Sequence, residues 1–230
     1  MVSGWTVIAF LLLVGSSAMA EAPLGDDRKN GLGLYLWATG IDGTFTVMGA
    51  EVPVDVSFDE LFDQVNMAGS IHYERAARPW GLFADATYID MGAEFTEPNS
   101  QLPGAQEMTF VLAEAGAVRR WGPGGNKTYF DLLLGLRYWD LEQSITIGGN
   151  PALDAGEDWV DGMVGGRILV PLGKKWWFTG RLDVAAGGSD ITWNTTLLFD
   201  WQVSPLISGA ELFALDADFG GPVVAVGFRW

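Results

Sequence analysis

The sequence contains no cysteine, one histidine and few basic residues among its 230 amino acids. Without cysteine it has no disulfide framework and no thiolate metal site. Lys and Arg number 13 against 29 Asp and Glu, so the formal net charge is -16. That balance repels nucleic acid, and no DNA or RNA partner is expected. No cofactor is predicted either.

Long hydrophobic runs are also missing after the first 20 residues. The apolar run 7–14 is followed by Ala18-Met19-Ala20, a small-x-small pattern typical of a signal-peptidase site. This run is too short to cross a bilayer as a helix, which takes about 20 apolar residues. We therefore predict a signal peptide at 1–20, a polar lead-in at 21–30 and one domain at 31–230. In a membrane that domain must cross as strands, since only helices and closed barrels satisfy the backbone in hydrocarbon.

Alternation with a period of two is clearest in residues 191–203, ITWNTTLLFDWQV, and it predicts a β-strand. Nine other segments show it, most of them close to the roughly 9–11 residues that a tilted strand needs to cross a bilayer. These segments are 32–39, 67–75, 80–88, 108–121, 130–138, 160–170, 176–184, 206–214 and 223–230. The pattern predicts an antiparallel up-and-down transmembrane β-barrel of ten strands, with eight as the alternative.

Nearly every charged residue of these strands shares one parity with Gly, Ser, Thr or Asn, and the other parity is almost free of charge. A soluble barrel would turn the apolar set inward, whereas a membrane barrel turns it toward lipid.

The connections favour the membrane barrel. Segments 40–66, 92–106, 141–157, 188–190 and 214–221 hold fourteen Asp and Glu and no Lys or Arg. The alternate connections are short and basic, with Arg78, Arg119, Arg120, Lys127, Lys174 and Lys175 in or beside them. Long external loops and short periplasmic turns are typical of outer-membrane barrels.

Tryptophans fall at the short-turn end on the apolar parity, where an interfacial aromatic girdle is expected. The predicted interface aromatics are Trp80, Trp121, Trp176 and Trp201. The alternative, that they form the core of a soluble sandwich, is disfavoured because the strand interiors contain no Lys.

The chain ends in Val226-Gly-Phe228-Arg-Trp230, with Phe228 and Trp230 on the outward parity. This ending resembles the signal read by the barrel assembly machinery, with Trp in place of the usual Phe. Over residues 31–230 the architecture resembles the small outer-membrane barrels of Gram-negative bacteria, such as opacity-type proteins. The resemblance implies a monomer in the cell outer membrane that contacts outer-membrane lipids and lipopolysaccharide. It carries no activity with it.

The longest connection contains its own pattern. Val52, Val54 and Val56 alternate, and Ser57 with Glu60 fits a capping box. A short helix is predicted to follow, with Leu61 and Phe62 on its apolar stripe. Our hypothesis is that this helix packs over or into the barrel mouth; alternatively it rests on the apolar residues of its own loop.

The inward parity carries both signs of charge. The predicted lumen charges are Glu74, Asp85, Glu114, Asp131, Arg137, Asp161, Arg167, Arg181, Asp183 and Asp200. Paired charges would plug the barrel, whereas a solvated acidic surplus would make a cation-preferring pore. We favour the filled lumen, because ten strands enclose little more space than eight.

Ser70, His72 and Glu74 share one strand face and invite comparison with a catalytic triad. Same-face neighbours stand about 7 Å apart, too far for the hydrogen bonds that activate a nucleophile. Asp216, Asp218 and Gly220 begin a calcium-loop pattern that lacks its downstream glutamate, so no metal site is predicted.

The expected function is a structural or surface-interaction role without catalysis. The alternatives are a narrow, porin-like cation-preferring pore and a membrane-embedded lipid or peptide hydrolase.

Overall fold

The structure of the protein is a computed structural model. It describes residues 30–37, 41–47, 50–56, 65–77, 79–96, 101–122, 128–150, 152–189, 191–202, 207–215 and 220–230. The predicted signal peptide lies outside these residues. Nowhere in the described part of the chain is there a helix with the length and hydropathy needed to span a membrane.

The described elements are all β-strands. They are β1 Asn30–Trp37, β2 Ile41–Val47, β3 Ala50–Val56, β4 Val65–Arg75, β5 Trp80–Thr96, β6 Pro103–Trp121, β7 Tyr129–Ile147, β8 Leu153–Pro171, β9 Trp176–Gly187, β10 Thr192–Gln202, β11 Ile207–Leu215 and β12 Gly220–Arg229. Apart from β2 and β3, they pair in the closed order β1-β12-β11-β10-β9-β8-β7-β6-β5-β4. Every pairing in this ring is antiparallel, which confirms the predicted antiparallel up-and-down sheet.

The two ends of the chain meet where the barrel closes. Strand β1 pairs with β12 on one side and with β4 on the other. The backbone groups of Asn30 and Trp230 exchange two hydrogen bonds of 3.1 Å, and Tyr73 Oη donates to Asn30 Oδ1 at 2.9 Å. Strand β1 begins at Asn30, which was predicted to belong to the polar lead-in. Its backbone hydrogen bonds to Trp230 hold it in the sheet.

The strands expose their apolar side and bury their polar side. In β10, Thr192, Asn194 and Asp200 are buried, whereas Trp193 and Phe199 are exposed. A soluble barrel would bury the apolar set, so this polarity matches the one that the sequence predicts for a membrane barrel.

The strands at the acidic end are longer than predicted. Strands β6, β7 and β8 have 19 residues each and β5 has 17, so the predicted loops 92–106 and 141–157 are largely β-ladder. The alternation of apolar and polar residues fades there, but backbone pairing continues because it needs no particular side chain.

The first long connection contains a β-hairpin that the sequence analysis treated as loop. Strand β2 pairs with β3 from Ile41 opposite Val56 to Val47 opposite Ala50. The alternating valines belong to β3. The predicted helix, with Ser57, Glu60, Leu61 and Phe62, lies outside the described residues.

Two inward glycines make room for the ring of Phe83, which is 3% exposed. A Cβ at Gly116 would lie 2.6 Å from a Phe83 ring carbon and 2.8 Å from the Cα of Gly135. A Cβ at Gly135 would lie 2.7 Å from the carbonyl oxygen of Ala115. The ring can pack against the inner wall only because these side chains are missing.

We expect Gly116→Ala to lower the free energy of unfolding by about 1–3 kcal/mol, the usual cost of overpacking. The measurement is urea unfolding of the barrel from lipid vesicles, followed by heat-modifiable migration on a gel. Gly69→Ala is the matched control, since a Cβ there meets nothing within 4 Å. Equal unfolding midpoints for the two variants would contradict this account of Phe83.

Candidate functional site

The predicted lumen charges lie on strands β4 to β10, and every one of them is buried. Their strands place them on the parity that faces away from the exposed apolar side chains. Seven of them, together with Arg120, form two clusters of four ions, and Asp85, Asp161 and Asp200 lie outside these clusters.

Four ions in the middle of the barrel form a closed ring, which we call the central ring. Arg137 donates to Glu114 at 2.5 Å and to Asp183 at 2.6 Å. Arg181 donates to the same two carboxylates, to Glu114 at 3.1 Å and to Asp183 at 2.7 Å. Each ion therefore contacts two ions of opposite sign, and the ring carries no net charge.

A second ring, the lower ring, lies nearer the short connections. Arg120 makes two hydrogen bonds of 2.8 Å to Asp131 and lies 3.2 Å from Glu74. Arg167 lies 2.7 Å from each of the same carboxylates. This ring is also neutral. Arg120 was predicted to lie in or beside a short connection, although the parity that it shares with Glu114 indicates that it faces inward.

Pairing decides whether such ions can exist in the barrel. The effective penalty for removing one ion from water is several kcal/mol, and it is offset only where geometry and hydrogen bonds are good. The side chains of Arg137 and Asp183 are at most 1% exposed, so water does not solvate them. Each ring compensates its charges within the barrel interior.

Aromatic and apolar side chains fill the space around the rings. The guanidinium of Arg181 lies over Phe83 at 5.9 Å, and that of Arg137 lies over Trp139 at 6.0 Å. Met163 Sδ accepts hydrogen bonds from both arginines at 3.4 and 3.2 Å. The buried inward cluster comprises Phe83, Val118, Leu133, Met163 and Ala185. These residues were missed as lumen residues, and only their parity could have found them.

His72 lies between the two rings. Its Nδ1 is 2.6 Å from Asp85 Oδ2, and its Nε2 is 4.0 Å from Glu74 of the lower ring. Tyr35 Oη donates to the other oxygen of Asp85 at 3.3 Å. The histidine thus links Asp85, a carboxylate outside both rings, to the paired charges.

The candidate catalytic residues on β4 use separate partners. Ser70 accepts a hydrogen bond from Thr87 at 2.9 Å, whereas His72 pairs with Asp85. All of these side chains are at least nine-tenths buried. In the described part of the chain, no group of three or more His, Asp or Glu is arranged to hold a metal ion.

Asp161 lies toward the acidic end and is held by a turn. The backbone N–H and the hydroxyl of Ser189 donate to its two carboxylate oxygens at 2.9 and 2.7 Å. Asp200, on β10, is fully buried. The interior charges therefore extend beyond the two rings.

The predicted interface aromatics are all on the outer wall. Trp80, Trp121, Trp176 and Trp201 are 42–47% exposed, and Trp176 stacks with Trp201 at 6.1 Å between ring centroids. Phe228 and Trp230 of the predicted assembly signal are also exposed.

We expect Arg137→Met to lower the free energy of unfolding by about 3–5 kcal/mol, because it leaves Glu114 and Asp183 sharing one arginine. Urea unfolding from vesicles measures the effect. The double variant Arg137→Met/Asp183→Asn removes one ion of each sign and should recover part of the loss. If the single variant is as stable as the parent, the central ring is not the dry, paired site described above.

No known protein family matches the sequence, and no curated protein does. Solved structures do match. The translocator domain of the autotransporter NalP from Neisseria meningitidis has a TM-score of 0.54 at 13% identity, with 90% of each chain covered. The transport unit of the autotransporter AIDA-I from Escherichia coli has a TM-score of 0.50 at 8% identity, with 93% of each chain covered. At these identities the likeness concerns the fold alone, and the chain has the fold of an outer-membrane β-barrel. The likeness to opacity-type proteins stays a prediction.

Proposed function

We propose that this chain is a ten-stranded barrel of the outer membrane with a filled interior and a structural or surface-interaction role. One observation carries the proposal: the inward side chains are inaccessible to water. Arg137 and Leu133 are 1% exposed, Thr179 is not exposed at all, and they come from two different strands. A water-filled channel along these strands would leave such side chains exposed to solvent.

The external ends supply the surface for interaction in this proposal. Carboxylates at the ends of β5 to β8 are exposed: Glu94, Glu107, Glu142, Asp154, Glu157 and Asp158. Their shared sign favours partners that bring cations, including lipopolysaccharide phosphates bridged by divalent ions. The outward apolar belt fits outer-membrane lipids, and the exposed Phe228 and Trp230 fit recognition by the barrel assembly machinery.

We expect the refolded protein to show no channel steps in planar bilayers and no swelling of liposomes in sugar solutions. The reason is that the two rings and the apolar cluster block the interior. Heat-modifiable migration of protein recovered from the same membranes establishes that a folded barrel was present. Reproducible steps with cation preference would overturn the filled interior and favour the narrow pore.

The absence of cysteine allows a clean test of location. We expect Glu157→Cys to react with a membrane-impermeant maleimide on intact cells, because it lies at the external end of β8. Lys175→Cys, exposed at the opposite end, is the matched control and should react only after the outer membrane is opened. The reverse pattern would contradict the proposed orientation, and labelling of both or of neither would contradict the proposed location.

A further inference from the structure

Two consecutive arginines of β6 face opposite ways. Arg120 points inward into the lower ring, where two carboxylates neutralise it. Arg119 has the outward parity and lies between two tryptophans, with its guanidinium carbon 5.3 Å from the Trp80 ring centroid and 5.2 Å from that of Trp121. Both distances are within the range for cation–π attraction.

Arg119 has no anionic partner in the described part of the chain. Its Nε is sealed from solvent, and no hydrogen-bond acceptor for it lies among the described residues. The buried arginines Arg137, Arg167 and Arg181 each contact two carboxylates. The outward arginine therefore differs from them in keeping an uncompensated charge.

The surroundings of Arg119 are those of a membrane interface. It pairs in register with Trp80 on β5 and Leu132 on β7. Toward the middle of the barrel the same wall exposes Leu82 and Leu134. An anion bound here would have the tryptophans beside it and an apolar wall for attached hydrocarbon chains.

We propose that Trp80, Arg119 and Trp121 bind the phosphate of an anionic phospholipid headgroup at the periplasmic face of the membrane. A guanidinium matches phosphate geometry with paired hydrogen bonds, and an anionic lipid neutralises the Arg119 charge, which no carboxylate of the described residues pairs. The apolar wall below accepts the acyl chains, which a free phosphate lacks. This site rests on the proposed membrane location.

The test uses the full-length protein in an uncharged detergent, titrated with phosphatidylglycerol or phosphatidylcholine. Native mass spectrometry measures the apparent dissociation constant of the first bound lipid. Arg119→Gln should raise that constant for phosphatidylglycerol about tenfold, the loss expected for one charge-assisted pair. Arg75→Gln is the matched control, because this outward arginine at the same end makes no ring contact among the described residues, and it should change the constant less than twofold.

Several outcomes would support or overturn the proposed lipid site. Equal effects of Arg119→Gln and Arg75→Gln would mean that the lipid is attracted by any basic residue, and they would overturn the proposed site. Displacement of the lipid by inorganic phosphate would also overturn it. If Arg119→Gln fails to give the heat-modifiable folded band, Trp121→Leu replaces it, with an expected loss of about threefold. Vesicle insertion of the parent protein is measured separately, so that failure to insert tests the membrane location and not the lipid site.

Discussion

The interior of this barrel depends on the mutual neutralisation of ions that water cannot reach. Arg137 and Arg181 bridge the same two carboxylates, and Arg120 and Arg167 do the same in the lower ring. An ion without a partner in such a place would cost several kcal/mol. The strands that carry these residues are therefore held in one register, because a slip of one residue would turn every ion to the outer face of the barrel.

The same constraint explains how the barrel interior can bury many charged side chains. Charge inside a barrel often signals a conducting path, since solvated acidic residues attract cations. Here the guanidinium groups occupy the space between strands, and Phe83, Met163 and Trp139 pack against them. The rings thus act as both packing and electrostatic elements, and their geometry favours a filled interior over a pore.

The outer wall shows what happens to an arginine that the interior does not neutralise. Arg119 and Arg120 are neighbours in sequence, but the two-residue repeat of a strand sends them to opposite sides. On the outside, Trp80 and Trp121 flank the charge without cancelling it. The side of the sheet, more than the residue type, decides whether an arginine is held by carboxylates or flanked by aromatic rings.

Sequence alone determined the fold class, the strand parity and the contrast between an acidic and a basic end, because a period of two and the sorting of charge are local patterns. It located the inward charges such as Glu114 and Asp183 but not their partners. Parity predicts which face of the sheet a side chain lies on, but it does not predict which side chain of another strand it contacts. The tertiary structure decided which ions meet, that Arg120 joins them and that Phe83 fills the space beside two glycines. It also decided that β5 to β8 extend beyond the apolar belt, because backbone pairing needs no particular side chain to continue. Ring closure and register bring residues from distant strands together, and no local pattern encodes those distances.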